Sequence, residues 1–211
     1  MLRLQNKSHA VMAQRHEPKN SFDDFPTPPW ATRALMEYVL NVSDNHNLSC
    51  REPACGRGYM SQVLNEYFEK VISSDVKDYG FGEKKDFLSS CYMEKTDWVI
   101  TNPPFNIAEN FILKALSLSK IGVAVLVRTS FLEGVGRYER LFSKHKPSHI
   151  AQFSQRVPIV KGRVDPKASS ATSYAWIVWD HTSVIESNLI WIPPCRKQLE
   201  KKYDYIKIVE N

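Results

Sequence analysis

The run IGVAVLVR, residues 121–128, constrains the fold more than any other segment of this sequence. Apolar residues fill both alternating sets of positions, so a strand formed here is buried on both faces. Strands of this kind are typical of the centre of a parallel sheet that carries helices on both sides. The run therefore predicts a layered α/β domain rather than an antiparallel sandwich.

Short strands and helices alternate around this run. The pattern predicts strands over 48–52, 71–75, 97–101 and 121–128, and helices from about Thr27 to Leu40 and over 59–69, 106–118 and 131–145. This alternation is typical of a mostly parallel, doubly covered sheet. Two later segments, HIAQFSQRV and TSYAWIVWD, predict strands joined by the loop 158–170, which we interpret as an antiparallel hairpin at the sheet edge.

Length and composition predict a single domain. With 211 residues and 43% hydrophobic content, the chain is long enough for a single core. We assign this domain to residues 25–195, between a polar N-terminal arm over 1–24 and a basic C-terminal tail over 196–211, whose charges we expect to form a solvated face. The net charge of +5 is compatible with a nucleic-acid partner, although many other proteins are equally basic.

Several classes of protein are disfavoured by the sequence. No segment approaches the roughly 20 apolar residues of a membrane span, and the first residues are too polar for a signal peptide. We therefore expect a soluble, cytoplasmic protein. Four cysteines without a Cys-x-x-Cys pair predict reduced thiols, and we expect neither a disulfide framework nor a metal site.

A glycine-containing turn follows the first predicted strand, in REPACGRGYM. Gly56 and Gly58 stand where the strand turns into a helix, and Glu52 ends the strand. Asp75 ends the next strand, which is where an acid binds ribose hydroxyls in a doubly wound sheet. The third glycine of the dinucleotide pattern is replaced by Ser61, so a nucleoside cofactor without a pyrophosphate fits better. An ordinary tight turn is the alternative interpretation.

Two consecutive prolines follow the strand 97–101, in TDWVITNPPFN. Pro103 and Pro104 remove two backbone donors and fix two φ angles immediately after a buried strand. A simple strand terminator would explain them, because Asn-Pro and Pro-Pro are ordinary turn signals. The alternative is that a rigid turn holds chemical groups in place.

Five segments occur in one order along the chain: DFPTPPW, EPACGRG, SD at 74–75, KKDFL and TNPPF. Together they resemble the signature segments of the S-adenosylmethionine-dependent DNA adenine-N6 methyltransferases, and particularly the short members found in phages and prophages, some related enzymes being part of restriction-modification systems. The resemblance runs from about residue 22 to 195. It implies a Rossmann-like class I methyltransferase fold, a mostly parallel seven-stranded sheet with an antiparallel last strand.

The resemblance also implies roles for individual residues. The cofactor S-adenosylmethionine would contact Thr27 and Pro28 near its methionine carboxylate, Glu52, Ala54, Gly56 and Gly58 near its amino group, Asp75 at the ribose, and Asp86 and Phe87 at the adenine. Asn102, Pro103, Pro104 and Phe105 match the catalytic tetrad, which in most members ends in Tyr. We expect DNA, or alternatively RNA, to contact the basic loop and the following strand through Arg156, Lys161, Arg163, Lys167 and Tyr174.

The tetrad suits transfer to an amine whose lone pair is delocalised into a ring. The side-chain carbonyl of Asn102 and the backbone carbonyl of Pro103 can accept its two hydrogens, and the prolines preorganise the second acceptor. Phe105 can stack on a base swung out of the duplex. The same tetrad type serves enzymes that methylate RNA bases at adenine N6 or guanine N2, or glutamine in proteins, and a non-catalytic binding protein of this fold is a further alternative.

Overall fold

A computed structural model describes residues 24–41, 47–89 and 91–205. Its centre is one eight-stranded sheet. The strands are β1 (Ser49–Glu52), β2 (Lys70–Asp75), β3 (Glu83–Lys84), β4 (Thr96–Thr101), β5 (Ser119–Arg128), β6 (His149–Phe153), β7 (Tyr174–Asp180) and β8 (Asn188–Ile192). Their order across the sheet is β3-β2-β1-β4-β5-β7-β6-β8. The strands from β3 to β5 are parallel, and β7 runs antiparallel to β5, so the Rossmann-like α/β class predicted from the sequence is confirmed.

Short helices cover both faces of the sheet. They are α1 (Pro29–Leu35), α2 (Tyr59–Leu64), α3 (Ala108–Leu118), α4 (Val135–Arg137) and α5 (Arg196–Leu199). Helix α1 starts with Pro29, whose fixed φ suits a first helical position, and continues as a π-helical turn over Met36–Leu40. That turn ends at Asn41 in the left-handed region, at φ 50°.

Strand β5 separates two hydrophobic clusters. Ala124 and Leu126 point into one cluster, which also contains Trp30 and Trp176. Val123, Val125 and Val127 point into the other, together with Phe111, Ile112 and Ile177. All five of these β5 side chains are at most 1% exposed, which confirms the prediction of a central strand buried on both faces.

The predicted hairpin forms, but it does not lie at the edge of the sheet. Strands β6 and β7 pair antiparallel, with Ile150 opposite Ile177, whereas β8 pairs parallel to β6 and is the outermost strand. The sheet therefore has eight strands, one more than the seven predicted. Strand β8 escaped prediction because Leu189 and Trp191 are more than half exposed, as edge residues often are, and Pro193 and Pro194 follow directly.

Two predicted helices are shorter than expected. The segment 131–145 divides into a 3-10 turn (Thr129–Leu132), α4 and a π-helical turn (Tyr138–Phe142). Gly134, at φ 117°, interrupts the right-handed backbone between the first two. Helix α2 stops at Leu64 instead of 69, and hydrogen-bonded turns continue to Phe68.

Residues 196–205 of the predicted basic tail pack against the domain, while Lys197 and Lys202 are exposed. Helix α5 and a 3-10 turn (Lys202–Tyr205) pack against α1, and the buried Asp204 carboxylate lies 2.8 Å from the guanidinium of Arg33. The rest of the predicted tail, and the predicted arm apart from Asp24, lie outside the described residues. Within the described part of the chain, no helix is long and apolar enough to cross a membrane.

Candidate functional site

A cleft of about 620 Å³ of empty space lies at the carboxyl ends of the parallel strands. Neighbouring parallel strands end at the same edge of a sheet, which is where ligands bind in open α/β folds. The predicted site residues that line this cleft are Thr27, Glu52, Ala54, Gly56, Asp75, Asn102 and Pro104. Segments that are far apart in the sequence therefore meet at one site.

Asp75 is fixed by the turn that follows β1. The backbone N–H of Gly56 donates to Oδ2 at 2.9 Å, and that of Lys77 donates to Oδ1 at 3.0 Å. Burial raises the pKa of Asp75, with the charge of Asp24 adding to the rise and the backbone hydrogen bonds opposing it. The carboxylate is thus oriented into the cleft from the end of β2, as an acid that binds hydroxyl groups requires.

Glu52 is the most deeply buried carboxyl group of the cleft, at 2% exposure. It accepts a hydrogen bond from the Ser61 hydroxyl, whose oxygen is 2.6 Å from that of Ser73. Burial raises the pKa of Glu52 to about 8; the Ser61 hydrogen bond opposes the rise and the charge of Asp75 adds to it. At neutral pH Glu52 therefore keeps its proton unless a cation enters the cleft.

The two glycines of the turn have different reasons to be glycine. Both have positive φ, at 50° for Gly56 and 81° for Gly58. A Cβ added at Gly56 would meet nothing within 4 Å, because this residue borders the open cleft. A Cβ at Gly58 would lie 2.5 Å from the ring of Phe81. Gly56 thus offers its backbone to a ligand, whereas Gly58 permits close packing behind the turn.

Asn102 is held in one orientation by the loop before α1. Its side-chain Nδ2 donates to the backbone oxygen of Phe25 and to the hydroxyl of Thr27, both at 3.0 Å. Thr27 is only 3% exposed, so this contact is protected from water. Because both amide hydrogens have acceptors, the side-chain carbonyl is the group that Asn102 can offer to a ligand with N–H donors.

Phe105 lies next to the cleft in an aromatic group. Its ring centroid is 5.6 Å from that of Phe25 and 6.4 Å from that of Tyr174, and the guanidinium carbon of Arg128 lies 4.3 Å from it. Phe105 is only half-buried, so part of its surface is available for stacking. Pro103, between Asn102 and Pro104, is buried.

Asp86 and Phe87 do not line the cleft. Asp86 is exposed and its Oδ1 accepts a hydrogen bond from the backbone N–H of Leu88 at 2.9 Å. Phe87 is 1% exposed and packs against Phe111, with ring centroids 5.1 Å apart. The predicted Pro28 and Gly58 also lie outside the lining; Pro28 precedes the first residue of α1.

The predicted basic loop lies at the rim of the cleft. The backbone N–H of Gly162 donates to the backbone oxygen of Asp24 at 2.8 Å, and Asp24 is itself a lining residue. The four predicted cations Arg156, Lys161, Arg163 and Lys167 are all exposed. Arg156 donates to the backbone oxygen of Ala171, and Arg163 lies 3.2 Å from the carboxylate of Asp165.

Nine lining residues were not predicted from the sequence, and three of them, Asp24, Arg57 and Tyr79, form one group. Arg57 lies 3.2 Å from the Asp24 carboxylate, and its guanidinium carbon is 5.6 Å from the ring centroid of Tyr79. Asp24, Arg57 and Tyr79 lie in three separate loop segments. No spacing or motif joins them, so the sequence carries no signal for this group beyond the position of Arg57 between two glycines.

No family model and no curated protein matches the chain. Solved structures do match. A modification subunit assigned to a type I restriction enzyme of Vibrio vulnificus has a TM-score of 0.59 at 15% identity, covering 86% of this chain and 51% of its own. The methyltransferase subunit of a Streptococcus thermophilus type I restriction-modification system has a TM-score of 0.58 at 13% identity, covering 86% and 50%.

A protein of Pyrococcus horikoshii assigned as an RNA methyltransferase is similar over more of its own length. Its TM-score is 0.58 at 20% identity, and the match covers 78% of this chain and 90% of that one. The chain spans about half the length of the type I subunits that it matches. At these identities the likeness concerns the fold alone: the chain shares the Rossmann-like fold of these three proteins.

Proposed function

We propose that this chain is an S-adenosylmethionine-dependent methyltransferase that methylates the N6 amine of adenine in DNA. The observation that carries the proposal is the fixed orientation of Asn102 in the cleft that also contains Glu52 and Asp75. An acceptor for an amine and two carboxyl groups suited to a cationic nucleoside thus share one site. The fold and the resemblance in the five segments support the same reaction class.

The cleft residues fit the proposed cofactor. Its ammonium group and ribose hydroxyls are donors that match Glu52 and Asp75, and the open space above Gly56 admits a ligand next to the backbone. When bound, S-adenosylmethionine supplies a methyl group activated by a sulfonium.

The tetrad would act on the acceptor amine. The Asn102 carbonyl and the Pro103 backbone carbonyl accept its two hydrogens and draw the nitrogen away from conjugation with the ring. Phe105 provides an apolar surface for a base removed from its stack. The nitrogen's lone pair would form the new bond to the methyl carbon while the donor's sulfur–methyl bond breaks and its electron pair stays on sulfur. One amine proton would then leave to solvent, so no covalent enzyme intermediate is needed.

We further propose that sequence specificity is short or relaxed. Base readout needs several side chains on base edges, each good pair contributing about 1–3 kcal/mol. In the described part of the chain, helix α3 and strand β5 follow the tetrad directly, and no domain-sized insertion separates β4 from β7. Contacts to DNA would come from the arm 1–24, the basic loop 156–170 and the tail 196–211, whose cations suit phosphates better than bases.

The test is methyl transfer from labelled cofactor to DNA, RNA and protein acceptors in parallel, followed by nucleoside and amino-acid analysis. We expect N6-methyladenine in DNA, at many short contexts when the methylated positions are mapped. Asn102→Ala should lower the rate by about two orders of magnitude without weakening cofactor binding. Asn106→Ala, at an exposed position four residues away, is the matched control. Label in RNA guanine or glutamine, or none with any acceptor, would contradict the proposal.

A further inference from the structure

A second cavity, with about 480 Å³ of empty space, adjoins the tetrad. Pro104 lines the cleft described above, whereas the next residue, Phe105, lines this second cavity together with Arg128, Ser130, Phe131 and Arg137. Its lining contains two arginines and no carboxylate. The cavity is therefore positively charged and touches the aromatic ring on which the acceptor base is proposed to stack.

Arg128 is held at this cavity without a counter-ion. It is the last residue of β5, opposite Tyr174 in the antiparallel pair, and its guanidinium lies over the ring of Phe105. Its Nε is buried and has no hydrogen-bond partner, and among the described residues Arg128 forms no ion pair. Because the lining holds no carboxylate, the charge of this guanidinium is uncompensated within the cavity and favours an anion there.

Arg137 faces the same cavity from α4 and is rigidly placed. Its Nη1 donates to the backbone oxygens of Phe131, at 2.7 Å, and Glu133, at 2.5 Å. Its guanidinium carbon lies 4.0 Å from the ring centroid of Phe131, and its Nε is also buried without a partner. Two guanidinium groups that line one cavity without a carboxylate are a typical arrangement for binding a phosphate group.

We infer that this second cavity binds a backbone phosphate of the acceptor strand, next to the base that stacks on Phe105. The inference rests on the proposed function and deepens it, because it assigns the acceptor to the nucleic acids. A stacked nucleotide carries its phosphates on the adjoining backbone, so a cationic cavity that shares the stacking ring lies where one of them must pass. A protein acceptor offers no anion at a fixed distance from its amide.

The test measures binding of a short oligonucleotide with one target adenine, as DNA and as RNA, over a range of salt concentrations. Arg128→Met should weaken binding about tenfold at low salt and reduce the slope of log K against log salt by about one. Lys120→Met removes an exposed cation from the second residue of the same strand, where Lys120 pairs with Asp97 at 3.6 Å, and should change neither quantity. Thermal unfolding of each variant verifies that it is folded.

A neutral methylphosphonate placed in turn at each position around the target adenine locates the contact. At one position it should weaken binding by the wild type about tenfold, and weaken binding by Arg128→Met far less, because the two changes remove the same interaction. Additive effects at every position would overturn the inference. Binding is measured without methyl transfer, so an inactive chain that shows the coupling would refute the proposed function alone, whereas an active enzyme without it would refute the phosphate site alone.

Discussion

Two groups of buried ionisable side chains in this molecule are built in opposite ways. Arg33 in α1 is 2% exposed, and its guanidinium contacts the carboxylates of Glu66, at 2.7 Å, and Asp204, at 2.8 Å. Glu52 and Asp75 in the cleft accept hydrogen bonds from a hydroxyl and from backbone N–H groups, and within the described residues neither carboxylate has a cation within salt-bridge distance. One group is internally neutralised and the other is not.

The pKa shifts express this difference. Burial lowers the pKa of Arg33, but the hydrogen bonds to Glu66 and Asp204 outweigh it and the net shift is upward. Burial likewise raises the pKa of Glu66, yet Arg33 and Lys201 reverse that and lower it overall. For Glu52 and Asp75 burial prevails and the pKa rises. Paired charges stabilise the fold, whereas the unpaired carboxyl groups are suited to a cation that comes from outside.

The largest expected effect is on the paired group. Arg33→Met should lower the free energy of unfolding by about 3–5 kcal/mol, because it leaves the buried Asp204 carboxylate without its counter-charge. Denaturant titration measures this. Lys201→Met is the control: Lys201 contacts Glu66 at 2.7 Å but its side chain is 41% exposed, so its loss should cost at most about 1 kcal/mol. Equal losses of unfolding free energy in the two variants would contradict this prediction, because the buried pair Arg33–Asp204 would then contribute no more than the exposed pair Lys201–Glu66.

The second prediction concerns the unpaired group. Asp75→Ala should weaken binding of S-adenosylmethionine by about 1.5–3 kcal/mol, since it removes a charged acceptor that the Gly56 N–H holds in place. Calorimetric titration measures the affinity. Asp78→Ala, an exposed aspartate of the following turn, should leave it unchanged. An unchanged cofactor affinity in the Asp75→Ala variant would show that Asp75 does not contribute to cofactor binding.

The central fold was predictable because its signals are local. Strand β5 is apolar at both alternating sets of positions from Ile121 to Val127. A strand that is buried on two faces needs that composition wherever it occurs. Edge strand β8 carries no such requirement, and Trp191 is 65% exposed, so its sequence resembles a loop. The docked tail was missed for a related reason: Asp204 reads as one more surface charge until Arg33, 171 residues away, is placed beside it.

The candidate site divides in the same way. Glu52 and Asp75 end predicted strands, whereas Gly56 and Asn102 follow predicted strands. The topology of a parallel sheet brings these strand ends together. Asp86 follows β3, which is only two residues long, and lies on the surface outside the lining of the cleft. Arg128 ends the strand that was predicted best, but nothing in the sequence indicates that its guanidinium lies over Phe105.

The smallest expected effect, counted per pH unit, is a difference in the pH dependence of stability between the two groups. Glu52 has a pKa of about 8 in the folded protein and about 4.5 when unfolded, so the folded state holds an extra proton between these values. The unfolding free energy of the cofactor-free protein should therefore fall as the pH rises from about 5 to 8, with a slope of at most about 1.4 kcal/mol per pH unit from this residue. Asp75 contributes with the same sign. Glu66, whose pKa is lowered, has the opposite sign and loses its contribution only as the pH falls through its own range.

Glu52→Gln isolates this slope, since glutamine stays neutral at every pH. Denaturant titrations of both proteins between pH 5 and 8 should converge at the acid end and diverge toward pH 8, with the variant the more stable. Binding of the cationic cofactor near pH 7 should ionise Glu52 and release about one proton in the wild type and fewer in the variant, which titration calorimetry in buffers of different ionisation enthalpy detects. Parallel stability profiles and equal proton release would show that Glu52 is already charged in the empty cleft, and the contrast with the Arg33 group would then rest on Asp75 alone.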